Sequence, residues 1–166
     1  MTFPTETRSY EYHPLRYVKS DLVKLTGLEL LQRMIAGELA PPPIMQTLDY
    51  TLVHVEHGRV VAEGTPKEWA YNPLGSVHGG YAATLLDSVV GCAVHSTLPA
   101  GTTYTTLELK LNFTRALLAS TGPVRAEGKI VHAGSKVATA EGRLVGVNDQ
   151  KLYAHATTTC LIMPLG

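Results

Sequence analysis

The sequence predicts an α+β domain in which a curled sheet encloses one buried helix. Two observations carry this prediction. Residues 80–97 are apolar on almost every side, as in a helix that is covered by other elements. Four long extended segments follow that helix, and they are separated only by turns, which is typical of antiparallel strands. The predicted order is β-β-α-β-β-β-β, with an additional helix near the amino terminus.

The amino-terminal helix is predicted from its capping residues. Thr26 and Glu29 stand at the spacing of a capping box, and apolar residues recur after them with helical periodicity. The pattern predicts a helix over residues 27–39, which the prolines at positions 41–43 stop because proline lacks a backbone donor. We therefore divide the 166-residue chain into an amino-terminal extension, residues 1–43, and one domain, residues 44–166.

The strands are predicted from extended and alternating patterns. Before the buried helix, residues 44–57 and 60–69 form a hairpin that turns at Gly58. After it, strands are expected over residues 103–115, 122–132, 136–147 and 152–163. In the first of these, leucines at positions 107, 109 and 111 and Phe113 alternate with polar residues, which predicts one buried face.

Composition and charge argue against several classes of protein. Lys plus Arg equals Asp plus Glu at 14 each, so a general basic field for nucleic acid is absent, although a local cluster can still hold a nucleotide phosphate. No secretory leader is expected in the first 20 residues, and no stretch of 18 apolar residues predicts a membrane span. His54, His57 and the two cysteines lack metal-ligand spacing. We expect a cytoplasmic protein with no metal, no membrane partner and no nucleic-acid partner.

The segment that opens the buried helix carries the candidate chemistry. Asn72, Gly75, His78, Gly79 and Gly80 lead into it, and two glycines at a helix start expose backbone N–H groups at the positive end of the helix dipole. Such donors suit a polarised carbonyl oxygen.

Asp87 lies in the middle of the same apolar helix, where a carboxylate is costly unless it is hydrogen-bonded or functional.

These residues resemble the PaaI-type hotdog thioesterases. The resemblance rests on the Asn72-to-Gly80 pattern with Asp87 seven residues later, and it continues through residues 106–113, 134–136 and 140–142. It implies hydrolysis of aryl- or medium-chain acyl-CoA thioesters without a metal or a cofactor. It also implies a hotdog fold, in which a long sheet wraps a central helix. Where many relatives have Arg-Pro, this chain has Arg115-Ala116, outside the catalytic constellation.

The resemblance also assigns roles to residues. It implies that the Gly79 N–H binds the thioester oxygen, that Asp87 is the nucleophile or general base, and that Asn72 orients the thioester or the attacking water. Thr106 stands where the family often positions water with a hydroxyl. We add His78 to the catalytic residues and Gly80 to the substrate-binding ones. For the CoA phosphates we add Arg115 and the turn Gly134-Ser135-Lys136, which can offer backbone donors and positive charge.

Spacing along the helix predicts that the site is shared. Gly79 and Asp87 are eight residues apart, which is ~12 Å at the helical rise, so one chain cannot bring both to one atom. Two antiparallel central helices related by a two-fold axis would form two equivalent sites. We therefore expect a homodimer as the minimal unit, and the resemblance implies that dimers often pair into tetramers.

Each residue also has a structural interpretation. The glycines can simply allow a tight helix start, Asp87 can be a hydrogen-bonded buried carboxylate, and His78 can cap the loop. Asn72 can be a turn residue, and Thr106 can be one of many strand threonines. Two other functions remain open: a non-catalytic acyl-CoA-binding module and an acyl-CoA hydratase. The hydratase needs a paired His and acid, and His78 and Asp87 are poorly placed for that within a chain.

Overall fold

A computed structural model describes residues 3–14 and 23–165 of the chain. The elements follow the predicted order. In chain order they are α1 Gly27–Ile35, α2 Pro43–Leu48, β1 Tyr50–Glu56, β2 Arg59–Gly64, a 3-10 turn Glu68–Ala70, α3 Gly79–His95, β3 Thr102–Phe113, a 3-10 turn Ala119–Thr121, β4 Val124–Ala133, β5 Val137–Gly146 and β6 Leu152–Pro164. The expected α+β arrangement and the hotdog fold are confirmed.

The six strands form one antiparallel sheet in the order β1-β2-β4-β5-β6-β3, and α3 packs across it. Leu85, Leu86, Val89 and Val90 of α3 are fully buried. Gly128 of β4 allows this close packing, because a Cβ there would collide with the backbone of α3 at Val89. Most of α3 is therefore covered, as its apolar sequence predicts, while the side that carries Ala83, Thr84 and Asp87 is only partly buried.

The largest differences from the predicted boundaries are in α1, α2 and β2. Helix α1 has the expected Thr26–Glu29 capping box but ends at Ile35, because Gly37 turns the chain with a φ of 77°. The first part of the predicted strand at residues 44–57 is instead helix α2, which Pro43 begins and the left-handed Asp49 ends. Strand β2 stops at Gly64 rather than at residue 69.

Strand β3 lies at the edge of the sheet, with its outer side unpaired among the described strands. A bulge between Thr106 and Glu108 breaks the alternation that the sequence suggested. Leu109 and Leu111 pack against the core as expected, but Leu107 is 59% exposed and Phe113 is 56% exposed. The prediction that all four side chains share a buried face is wrong at these two positions. The edge offers a row of free backbone groups to another strand.

Candidate active site

The amino end of α3 is shaped by His78. This residue is the N-cap, and its Nδ1 accepts a hydrogen bond of 2.9 Å from the Gly80 N–H. An accepting Nδ1 carries no proton, so this geometry corresponds to the neutral imidazole with its proton on Nε2. The His78 N–H donates to the Ala70 carbonyl at 2.7 Å and so fastens the loop to the preceding 3-10 turn. The capping interpretation of His78 therefore has a direct structural basis.

The two glycine N–H groups have different surroundings. Gly80 donates to His78 and is not free, contrary to the expectation of two free donors. The Gly79 N–H makes no hydrogen bond within the part of the chain that the structure describes. It lies at the first helical position, where no intrahelical acceptor exists and where the helix dipole is positive. One donor is thus left for an external oxygen.

Phe113 packs against Gly79 from the end of β3. A Cβ on Gly79 would lie 3.0 Å from Phe113 Cζ, so the ring covers the glycine closely. Beside them is a cavity of about 380 Å³. Its lining is mainly apolar and includes Val77, Ala82, Leu117, Leu144 and Tyr153, with His78, Phe113 and Arg115 also present. Sequence reasoning missed Phe113 as a site residue, because its place in an alternating strand made it a core candidate.

Asn72 organises the loop that precedes α3. Its Oδ1 accepts hydrogen bonds from the Leu74 N–H at 2.9 Å and the Ser76 N–H at 3.3 Å, while its Nδ2 donates to Ser76 Oγ at 3.0 Å. The amide is therefore occupied by the turn, which is the structural interpretation of this residue. Its orienting role toward a substrate stays a prediction.

Asp87 meets β3 at the other end of the strand. Thr106 Oγ1 donates to Asp87 Oδ1 at 3.3 Å, so the two residues expected in the acid part of the site are in contact within one chain. None of the salt bridges among the described residues includes Asp87. The carboxylate is partly buried and hydrogen-bonded to a neutral hydroxyl.

Uncharged groups surround this carboxylate. Burial raises the pKa of the Cys92 thiol to about 12, with a further contribution from the Asp87 charge. Burial also raises the pKa of Tyr104 well above its ordinary value, and raises the pKa of Tyr50 and of Cys160; Asp87 adds to each shift. All four groups therefore stay protonated, and so uncharged, near neutral pH.

A second hydrogen bond fixes the helix beside Asp87. The Tyr50 and Ser88 hydroxyls are 2.8 Å apart, which ties α3 to β1. One turn later, Gly91 lets the Tyr104 ring lie on the helix, since a Cβ there would be 2.6 Å from the Tyr104 hydroxyl. The face of α3 that carries Asp87 and Gly91 is thus directed at β3.

The contacts show that α3 and β3 run in opposite directions. Gly79 contacts Phe113, Asp87 contacts Thr106 and Gly91 contacts Tyr104. Within α3 itself, Gly79 and Asp87 are eight residues apart, which is ~12 Å at the helical rise. The structure therefore does not bring Gly79 and Asp87 together within one chain.

The candidate CoA contacts also divide between these two ends. Arg115 lines the cavity beside Gly79 and is exposed. The turn of Gly134, Ser135 and Lys136 joins β4 to β5, next to Val137. Val137 pairs with Leu161, and Leu161 pairs with Thr105, so the turn lies at the Asp87 end of the sheet.

Over residues 3–14 and 23–165, no group of three or more His, Cys, Asp or Glu side chains is arranged to hold a metal ion. None of the helices described in those ranges combines the length and the apolar character that a membrane crossing requires.

Similar sequences come from the thioesterases and esterases. Residues 74–153 match the family model described as the thioesterase superfamily. A protein of Saccharolobus solfataricus that carries a provisional esterase name is 34% identical over 120 residues, which cover 72% of this chain and 83% of that protein.

Solved structures of similar proteins share the fold. A Ralstonia eutropha JMP134 protein, described as a provisional thioesterase related to phenylacetic acid degradation, is 32% identical with a TM-score of 0.72, covering 79% of this chain and 98% of that chain. A Streptococcus mutans UA159 protein bound to acetyl-CoA is 25% identical with a TM-score of 0.63, covering 70% of this chain and 90% of that chain. The present chain belongs to the thioesterase superfamily and has its hotdog fold.

Proposed function

We propose that this protein hydrolyses acyl-CoA thioesters to the free acid and CoA. The observation that carries the proposal is the free Gly79 N–H at the positive end of α3, next to a largely apolar cavity. A thioester carbonyl oxygen gains negative charge as its carbon is attacked, and a fixed donor at a helix terminus stabilises that charge. The cavity beside the donor offers a place for the acyl group.

The attacking group in this proposal is either Asp87 itself or a water molecule that Asp87 deprotonates. In the first case an acyl-aspartate anhydride forms, CoA thiolate leaves, and water then releases the acid. In the second case water adds directly to the carbonyl carbon while Asp87 takes its proton; the tetrahedral adduct then breaks its C–S bond, and CoA leaves as the thiolate and receives that proton. The Thr106 hydroxyl holds the carboxylate in one orientation in both cases. Solvent oxygen in the Asp87 carboxylate after one turnover would indicate the first route.

The proposal requires a second copy of the chain, because Gly79 and Asp87 are far apart within one copy. Gly79 contacts β3 at Phe113, whereas Asp87 contacts it at Thr106. The unpaired edge of β3 is suited to antiparallel pairing with the same strand of another copy. A pairing centred between Leu109 and Lys110 sets Phe113 opposite Thr106 of the second copy. Gly79 packs on the first of these and Asp87 on the second, so the donor of one copy would meet the acid of the other.

The same pairing would assemble the CoA contacts. Arg115 lies at the Gly79 end of one copy, and the turn of Gly134, Ser135 and Lys136 lies at the Asp87 end of the other. Together they would offer two cationic side chains and a turn backbone to the phosphates. The relative that binds acetyl-CoA supports a CoA ester as the ligand class.

We propose that the substrates carry aryl or medium-chain acyl groups, because the cavity has a volume of about 380 Å³ and a mainly apolar lining. The proposed assembly is a homodimer, with further pairing of dimers, in the cytoplasm. The reaction as written needs no cofactor.

Thiol release from a panel of acyl-CoA esters tests the function. We expect wild type to release CoA from at least one aryl or medium-chain ester, and Asp87→Asn to lose a factor of about 10²–10⁴ in kcat, the usual contribution of a positioned base. Glu141→Gln, an exposed acid-to-amide change on the outer face, is the matched control and should keep wild-type activity.

Other outcomes would favour the rival functions. CoA esters that bind but are never cleaved by wild type would indicate a binding module, and hydration of an unsaturated acyl-CoA would indicate a hydratase. Equal hydrolysis by wild type and Asp87→Asn would remove Asp87 from the mechanism.

A further inference from the structure

Among the described residues, Arg8 makes most of the directed contacts between the amino-terminal segment, residues 3–14, and the domain. The Arg8 guanidinium carbon lies 3.8 Å from the ring centroid of Trp69 and 5.1 Å from that of Tyr10. Its Nη1 also donates a 2.8 Å hydrogen bond to the Thr47 carbonyl of α2. An arginine held between two aromatic rings and a carbonyl has its planar group fixed in one place.

Within ranges 3–14 and 23–165, one further side-chain hydrogen bond joins this segment to the domain. The His13 N–H donates to Gln46 Oε1 at 2.8 Å. A cavity of about 870 Å³ separates much of the segment from the domain, and its lining is largely polar, with Glu6, Asp49 and Lys67 among the residues that face it. The position of the segment therefore depends strongly on the stack of Arg8 on Trp69.

Trp69 connects this stack to the amino end of α3 by two routes. Its ring meets the Tyr81 ring edge-to-face, with centroids 6.0 Å apart, and Tyr81 lies in the first turn of α3. The next residue, Ala70, accepts the 2.7 Å hydrogen bond from the N–H of the N-cap, His78. The helix start is thus contacted by the Trp69 side chain and by the backbone carbonyl of the next residue, Ala70.

Tyr81 is well suited to transmit a change in Trp69. It is 3% exposed, and its hydroxyl is buried without a hydrogen-bond partner among the described residues. Packing alone therefore holds this side chain, with Trp69 on one side and the end of β2 at Gly64 near its hydroxyl. Loss of the support behind Trp69 would allow Tyr81, and the first turn of α3 with it, to shift.

We propose that Arg8 is a positioning residue for the Gly79 N–H. In this inference, which rests on the proposed function, the amino-terminal segment clamps Trp69 through Arg8, and Trp69 holds the first turn of α3 where its free donor faces the thioester oxygen. The segment then stabilises the position of the proposed oxyanion donor. The related Ralstonia eutropha structure is matched over 98% of its length by 79% of this chain, so part of this chain has no counterpart there.

Three variants of the full chain test the inference. Arg8→Ala removes the stack, Arg8→Lys keeps the charge above the Trp69 ring but loses the planar group, and Phe3→Ala changes an 85% exposed residue of the same segment as a control. We expect Arg8→Ala to lower kcat about tenfold while KM changes by less than about twofold, because a small displacement of a donor affects the transition state most. Arg8→Lys should fall between Arg8→Ala and wild type.

Two further measurements do not depend on hydrolysis. Trp69 is the single tryptophan of the chain, so its fluorescence reports directly whether the stack is present. The amide resonances of Gly79 and Gly80 report whether the helix start has moved. We expect both signals to change in Arg8→Ala and neither to change in Phe3→Ala.

The outcomes separate this inference from the proposed function. A changed Trp69 signal in Arg8→Ala with unchanged Gly79 resonance and unchanged kcat would overturn the positioning role. A wild type that cleaves no acyl-CoA would defeat the proposed function, and the Gly79 resonance alone would then decide whether Arg8 positions the helix start. A shift of that resonance supports the role, and its absence refutes it.

Discussion

The two ends of the proposed site are built in different ways. At the amino end of α3, the free donor comes from backbone, and the neighbouring residues His78, Ala70 and Asn72 fix it through local hydrogen bonds. At the Asp87 end, the acid depends on a contact with Thr106, which is 19 residues away in sequence and lies on an edge strand.

This difference indicates how the two halves would respond to change. The donor end needs a free backbone N–H and a capping loop, and these can be complete in a single chain. The acid end lies beside an unpaired strand, and its uncharged neighbours give it no counter-charge among the described residues. We therefore expect the donor end to be sensitive to backbone changes and the acid end to be sensitive to assembly.

The largest effect is expected from Gly79→Pro, which removes the proposed donor. Proline is tolerated at the first helical position, and His78, with φ −58° and ψ 136°, has the backbone conformation that a residue before proline prefers. The fold should therefore persist, while kcat for thiol release falls by about 10²–10³, as for loss of one oxyanion donor.

Gly79→Ala is the matched control, because it adds a Cβ against the Phe113 ring but keeps the N–H. Its loss should be much smaller than that of Gly79→Pro, since the ring is a side chain that can move by a few tenths of an ångström. Equal losses in the two variants would mean that crowding, and not the donor, explains the effect.

Mixing two inactive variants tests whether the two ends come from different chains. In a mixed dimer of Gly79→Pro with Asp87→Asn, one of the two sites combines an intact donor with an intact acid. Equal amounts that re-associate at random should recover about a quarter of wild-type activity. If the subunits are shown to exchange and no activity returns, the donor and the acid of one site must come from the same chain.

Much of the fold was predictable because it follows from local patterns. The apolar α3, the Thr26–Glu29 capping box and the turn at Gly58 each depend on residues that are near one another in sequence. The errors occurred where tertiary context overrides a pattern. Helix α2 occupies a stretch that the extended pattern assigned to a strand. Leu107, beside the β3 bulge, and Phe113, at the end of β3, are exposed although the sequence shows unbroken alternation.

At the candidate site, the donor and the acid were proposed from glycines at a helix start, a carboxylate in an apolar helix and the family resemblance, and the helical rise predicted that the two residues are separated within one chain. Their catalytic roles stay predictions. The contact of Phe113 with Gly79 and the stack of Arg8 on Trp69 could not be found in this way. Both join residues more than 30 positions apart, and no local spacing reports such contacts.

A moderate effect is expected at Thr106, which holds the acid. Thr106→Val keeps the β-branched shape but removes the hydroxyl that donates to Asp87, whereas Thr106→Ser keeps the hydroxyl. We expect kcat to fall about tenfold in the valine variant, consistent with loss of one hydrogen bond to a charged group, and to stay within about threefold of wild type in the serine variant. A valine variant with wild-type kcat would show that Asp87 needs no orienting partner from its own chain.

The smallest effect on activity is expected at Ser88, the residue beside Asp87. Ser88→Ala leaves the Tyr50 hydroxyl, in a side chain that is 5% exposed, without its partner, so the free energy of unfolding should fall by about 1–3 kcal/mol. Tyr50→Phe removes the hydroxyl instead, and Ser88 can then bond to the carbonyl one turn earlier, so this variant should be less destabilised. Denaturant unfolding gives both values, and kcat should stay within about twofold of wild type in each. This bond anchors α3 to β1 without touching the carboxylate. A tenfold loss of kcat in a stably folded Ser88→Ala protein would therefore show that Ser88, as well as Asp87 and Thr106, contributes to the reaction.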